Sequence, residues 1–77
     1  MEDRRIRYTK KVIKDTFIEL LEQKPINKIT VTELCTKSEI NRATFYRYYE
    51  DVYDLMEKLK SQYVDELKDA ITISKDD

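Results

Sequence analysis

The chain has 77 residues, 40% hydrophobic and 40% charged, with no glycine, no histidine, one proline and one cysteine. That length bounds it to a single domain near the lower limit for burying a core alone, and the composition excludes a disulfide framework, a Cys/His zinc site and a membrane span of about 20 apolar residues. Net charge is −1, yet residues 1–48 carry eleven Lys/Arg against seven Asp/Glu while residues 49–77 carry four against nine, so a soluble cytoplasmic protein with one basic working surface is expected.

The first periodic segment runs from about Arg5 to Lys24, with Ile13, Phe17, Leu20 and Leu21 at the spacing of a helical stripe that Val12 and Thr16 widen. Pro25 should end it, because the residue before a proline is disfavoured in the α region. "KPINKI" is then a connector. At residues 30–33, "TVTE" has the form of a capping box, in which Thr30 accepts from one free backbone N–H and Glu33 reaches back to another. Val31, Leu34 and Cys35 supply the apolar face of this second helix, so Cys35 is expected to pack in the core. Ser38 and Glu39 hold a tight turn, Ile40 packs inward, and Asn41 caps a third helix.

Asp51, with Asp54 three residues on, repeats the capping signal for a fourth helix. Val52, Leu55, Met56, Leu59, Tyr63, Leu67 and Ile71 recur along it at three- and four-residue spacing, and the closing "SKDD" reads as a frayed tail. The predicted fold is all-α: a three-helix, homeodomain-like helix-turn-helix domain over residues 1–50, then a long fourth helix over 51–77.

The segment "INRATFYRYYED" concentrates four aromatic rings and two arginines in a short helix. With Phe45 set at zero and steps of about 100°, Tyr49 falls at about 40° and Tyr48 at about −60°, so these three rings share one side. A helix that buries Phe45 and Tyr49 presents Arg42, Tyr46 and Arg47 outward, with Ala43 a flat place between them. Such a surface suits a major-groove reader: Arg42 can donate twice to guanine, Ala43 or Tyr46 can touch a thymine methyl, and the hydroxyls of Thr44 and Tyr48 can bind phosphate. The second helix, with Thr30 and Thr32 at its start, would cross the DNA backbone with its free N–H groups towards a phosphate. The plain alternative, that Tyr46 and Arg47 are merely solvated, is outweighed by the two capped helices and the turn between them.

With these residues in view, "ITVTELCTKSEINRATFYRYYEDVYDLM" resembles the tetracycline-repressor-like (TetR/AcrR) family of bacterial transcription regulators, over roughly residues 5–60. The likeness lies in an I-T-V start, a turn, an S/N-R-x-T-F-Y-x-Y-F core and a D-L-L/M ending. It implies sequence-specific binding of double-stranded DNA, most often repression, with the third helix in the major groove. By resemblance, the base-reading places fall on Thr32, Arg42, Ala43 and Tyr46, and the phosphate-contact places on Thr30, Thr44 and Tyr48. The basic arm of Arg4, Arg5 and Arg7 with Tyr8 is similar to the family's variable N-terminal extension, which touches backbone or minor groove.

Family members continue into a C-terminal domain that dimerises, so that two copies read a palindromic operator, and that binds a small-molecule inducer. The expected partners are therefore duplex DNA, a second copy in the full-length protein, and an inducer held by a domain beyond this chain; no cofactor is implied. Two positions depart from the pattern, Glu39 where a glycine is usual and Val52 in place of a lysine that would contact phosphate, and Glu50 and Asp51 nearby would repel DNA along that edge. A reading of another class is a helical protein-interaction module using the stripe of Leu59, Tyr63, Leu67 and Ile71. An enzyme finds little support, since histidine is absent and the carboxylates sit on solvated helix faces.

Overall fold

The computed structural model describes residues 4–75, with side-chain surroundings for residues 4–63. Four α-helices follow one another: α1 (Arg4–Gln23), α2 (Val31–Ser38), α3 (Arg42–Tyr48) and α4 (Val52–Lys75), with a single turn of 3-10 helix at Ile26–Lys28 between the first two. No strand occurs among the described residues. The architecture is the expected all-α one.

Each boundary has a chemical cause. At the end of α1, Lys24 N–H still reaches the Leu20 carbonyl at 3.0 Å, after which Pro25 turns the backbone to φ −69° and ψ 158°. The connector winds one tight turn, Lys28 N–H donating to Pro25 O and Ile29 N–H to Ile26 O, and this swings Ile29 into the core. Thr30 caps α2 by accepting from Glu33 N–H at 3.1 Å. The other half of the predicted box does not form, because the Glu33 carboxylate takes the stronger, charge-assisted bond from Lys24 Nζ.

The turn between α2 and α3 is a Schellman closure: Glu39 N–H donates to Thr36 O at 3.3 Å and Ile40 N–H to Cys35 O at 2.9 Å. Glu39 itself lies in the left-handed region at φ 59° and ψ 39°, the conformation that glycine adopts without cost. Asn41 Oδ1 then accepts from Ala43 N–H at 2.8 Å and starts α3. Asp51 caps α4 by accepting from Asp54 N–H at 2.8 Å, and Asp54 returns the bond by accepting from Glu50 N–H at 2.9 Å.

One core joins all four helices. Ile13, Phe17 and Leu20 from α1, Leu34 and Cys35 from α2, Phe45 and Tyr49 at α3, and Val52 and Leu55 from α4 form one buried cluster with Ile29 of the connector. Val31, Ile40, Tyr48, Met56 and Leu59 pack half-buried against its edge. Full burial of each large apolar side chain is worth about 1.5–3 kcal/mol, so the predicted stripes on α1 and α2 are what hold the turn and α3 in place.

Arg4, Arg5, Arg7 and Tyr8 lie in the opening turns of α1, as the periodic segment from about Arg5 predicted, and half-buried Ile6 extends its apolar face backwards. Besides the unformed half of the capping box, the structure departs from the sequence expectations in two places. Tyr49 is not helical: it follows α3 in extended backbone, φ −138° and ψ 144°, and reaches the core from there. Ser74 and Lys75, expected to fray, remain in α4. The side chains of Leu67 and Ile71 lie outside the described residues.

Candidate nucleic-acid interface

The outer face of α3 follows from what lies beneath it. Phe45 is fully buried and fixes the helix against the core, whereas Tyr46 on the next position is 52% exposed. The Tyr46 ring stands edge-on to Phe45, with centroids 5.6 Å apart and planes at 86°, a favoured aromatic geometry that aims the exposed ring. Arg42, Ala43 and Arg47 are exposed beside it, and Thr44 is half-buried. The split between buried Phe45 and Tyr49 and exposed Arg42, Tyr46 and Arg47 is the one expected from the sequence.

Thr30 and Thr32 are exposed at the start of α2. Thr32 Oγ1 accepts from Arg42 Nη1 at 3.2 Å, which joins the beginnings of α2 and α3 into one polar corner. The Thr32 hydroxyl proton and the remaining guanidinium N–H groups stay available as donors. Just inside this corner sits Cys35, whose thiol is pushed up from its ordinary 9.0 by burial, with the Arg42 charge opposing. A neutral, buried thiol is packing material rather than a nucleophile.

At the other end of α3 the surface turns strongly basic. A groove of about 800 Å³ opens between α1, α3 and α4, with Arg7, Lys10, Lys14, Arg47, Tyr48 and Lys58 in its walls. Lys10 Nζ stands 5.4 Å from the Tyr48 ring centroid, a cation–π contact across the α1–α3 seam. Lys58 Nζ donates to the Tyr48 carbonyl at 3.2 Å, satisfying a free backbone acceptor at the end of α3, and pairs with Asp54 at 3.0 Å. Arg4 and Arg5 are exposed one turn before Arg7 on α1.

The structure thus brings Thr30, Thr32, Arg42, Ala43, Tyr46 and Arg47 to the start and outer face of the helical pair, and places Tyr48 in the groove. Sequence reasoning missed the groove. Its signal was the 7, 10, 14 spacing of cations along α1, a helical stripe legible only once α4 brings Lys58 to face it. Val52, in the place of the usual lysine, is buried in the core, and Glu50 and Asp51 are exposed. Among the described residues no group of three or more His, Cys, Asp or Glu is placed to hold a metal, and no helix is long and apolar enough to cross a membrane.

Across 73 residues the chain is 32% identical to an uncharacterized HTH-type transcriptional regulator, YxbF of Bacillus subtilis (strain 168). The match covers 94% of this chain and 19% of that protein, so the chain spans about a fifth of the length of the curated relative it matches. No family model matches the chain, and no solved structure matches it. The similarity supports a helix-turn-helix regulator, without selecting among the families of such regulators.

Proposed function

We propose that this chain is the DNA-reading part of a transcription regulator of the TetR type, with α3 as the helix that enters the major groove of double-stranded DNA. The observation that carries the reading is the exposed surface of Arg42, Ala43, Tyr46 and Arg47 on a helix anchored from beneath by Phe45. Arginine at the start of such a helix can bond guanine O6 and N7 together, and a tyrosine ring or alanine methyl can meet a thymine methyl. Thr30 and Thr32 at the start of α2, with Thr44 and Tyr48 on α3, then contact phosphates and set the register. The similarity to an HTH-type regulator supports the DNA-reading part of this proposal, and the resemblance of "NRATFYRYYEDVYDLM" to the TetR/AcrR pattern supports the type.

On this reading residues 1–50 are the reading domain and residues 51–77 lead towards a C-terminal domain that pairs two copies and takes a small-molecule inducer. Paired copies about one helical turn apart on a palindromic operator gain affinity and specificity that one copy lacks. Repression, in the cytoplasm and without a cofactor, is the mode the resemblance favours.

A second reading, a helical interaction module, draws on one observation: an apolar groove of about 460 Å³ between α1 and α4, with Ile18 46% and Tyr63 64% exposed beside it. Titration of the chain against a random-sequence duplex pool, with sequencing of the bound fraction at two salt concentrations, separates the two. An enriched palindrome that disappears in Tyr46→Ala supports the reader. Absence of binding at low salt rejects it in favour of the module.

A further inference from the structure

The geometry points to a second DNA contact in the basic groove between α1, α3 and α4: a cradle for the sugar-phosphate strand that flanks the bases read by α3. This rests on the DNA-reading function proposed above and extends it to Lys10, Lys14 and Lys58, which that reading leaves without a role. Among the described residues six cations, Lys11 together with Arg7, Lys10, Lys14, Arg47 and Lys58, line the groove and no carboxylate does; two of the six, Lys11 and Lys58, are paired with Asp15 and Asp54. A concave surface of one sign focuses potential on an anion.

The distribution of charge selects the kind of anion. From Arg7 to Lys14 the cations extend over about 10 Å of helix axis, at about 1.5 Å per residue. Successive phosphates of one DNA strand advance about 3.4 Å along the duplex axis and lie farther apart along the strand itself, so a line of cations this long can meet more than one of them. A compact phosphate needs its donors converging on one point, and these are strung along a line. Arg47 and Tyr48 belong to α3, so the groove adjoins the end of the helix proposed to read the bases. Lys10 Nζ stands over the Tyr48 ring, which fixes its place in the groove wall beside the end of α3.

The test is the salt dependence of binding. Wild type, Lys10→Gln/Lys14→Gln, Lys10→Arg/Lys14→Arg and Arg7→Gln are titrated against the random-sequence duplex pool over a range of salt, with circular dichroism to verify the helices. Each lost phosphate contact reduces the slope of log K against log salt by about 0.9. The glutamine pair should therefore lower the slope by about two, Arg7→Gln by about one, and the arginine pair should restore it, while the enriched sequence stays the same. An unchanged slope in the glutamine pair overturns the cradle and leaves the reading by α3 standing. A wild-type chain that binds no duplex at low salt overturns both.

Discussion

Arg42 Nη1 donates to Thr32 Oγ1 at 3.2 Å, so the two exposed residues that open α3 and α2 are bonded to each other before any ligand arrives. An unrestrained arginine gives up about 2 kcal/mol of rotamer freedom when it is fixed, and part of that ordering is already present here. Arg42→Ala should cost about 1–3 kcal/mol at a single base position of the enriched duplex. Thr32→Val, which removes the acceptor but keeps the shape, should cost less, and the double variant should fall short of the sum because the two residues act as a pair. Titration against duplexes carrying single base changes measures this. A loss equal at every position would make Arg42 a phosphate contact instead.

Tyr46 and Phe45 are neighbours with opposite tasks. Tyr46→Ala removes an exposed ring whose edge contact with Phe45 is worth about 0.5–1.5 kcal/mol, so the variant should fold and lose sequence enrichment. Phe45→Ala empties the centre of the core at a cost of about 3–5 kcal/mol, which a domain of this size can hardly tolerate. Urea unfolding of the two variants beside a binding assay separates the roles: a Tyr46→Ala protein that still enriches the wild-type sequence would remove Tyr46 from the reading surface.

Much of this arrangement was legible in the sequence, because caps and helical stripes are local. Thr30, Asn41 and Asp51 each cap the helix predicted for them, and the burial of Phe45 against the exposure of Tyr46 follows from helix period alone. What was not legible depends on tertiary neighbours. Glu33 looked like the second half of a capping box, but Lys24, nine residues earlier, captures its carboxylate. The groove requires α1 and α4 to be placed side by side, and no window along the chain contains both Lys10 and Lys58. The turn stood between: its position was clear, but whether Glu39 would take a positive φ was not.

That positive φ carries a cost. A side chain in the left-handed region is disfavoured by about 1–2 kcal/mol, and the Schellman bonds that close the turn at Glu39 are ones that any residue there would make. Glu39→Gly removes the clash, against a loss of about 0.4–1 kcal/mol from the more flexible unfolded chain. The net expectation is a gain of about 0.5–1 kcal/mol in unfolding free energy, read from denaturant midpoints at unchanged slope. A destabilised glycine variant would show that the Glu39 side chain makes a contact that outweighs its backbone strain.

Asp54 ties the start of α4 to the segment that follows α3, and the tie should respond to acid. Its carboxylate accepts from Glu50 N–H and from Lys58 Nζ, and these bonds, the backbone one foremost, hold its pKa below the ordinary 3.8. Because the folded value is the lower one, the contribution to stability is complete above about 3.8 and is lost as the pH falls through the depressed value. Asp15 shifts in the same direction through Lys11, but on the outside of α1, where its loss unties no junction between helices. Protonated Asp54 can no longer hold Lys58, which also bonds the Tyr48 carbonyl, so the end of α3 should loosen together with the start of α4. Asp54→Asn lacks the titration: its thermal midpoint should lie below that of the wild type near neutral pH, and the gap should close as the pH is lowered past the ordinary carboxylate range. A gap that stays constant down to about pH 2 would mean that Asp54 acts only as an uncharged acceptor and that Lys58 takes nothing from its charge.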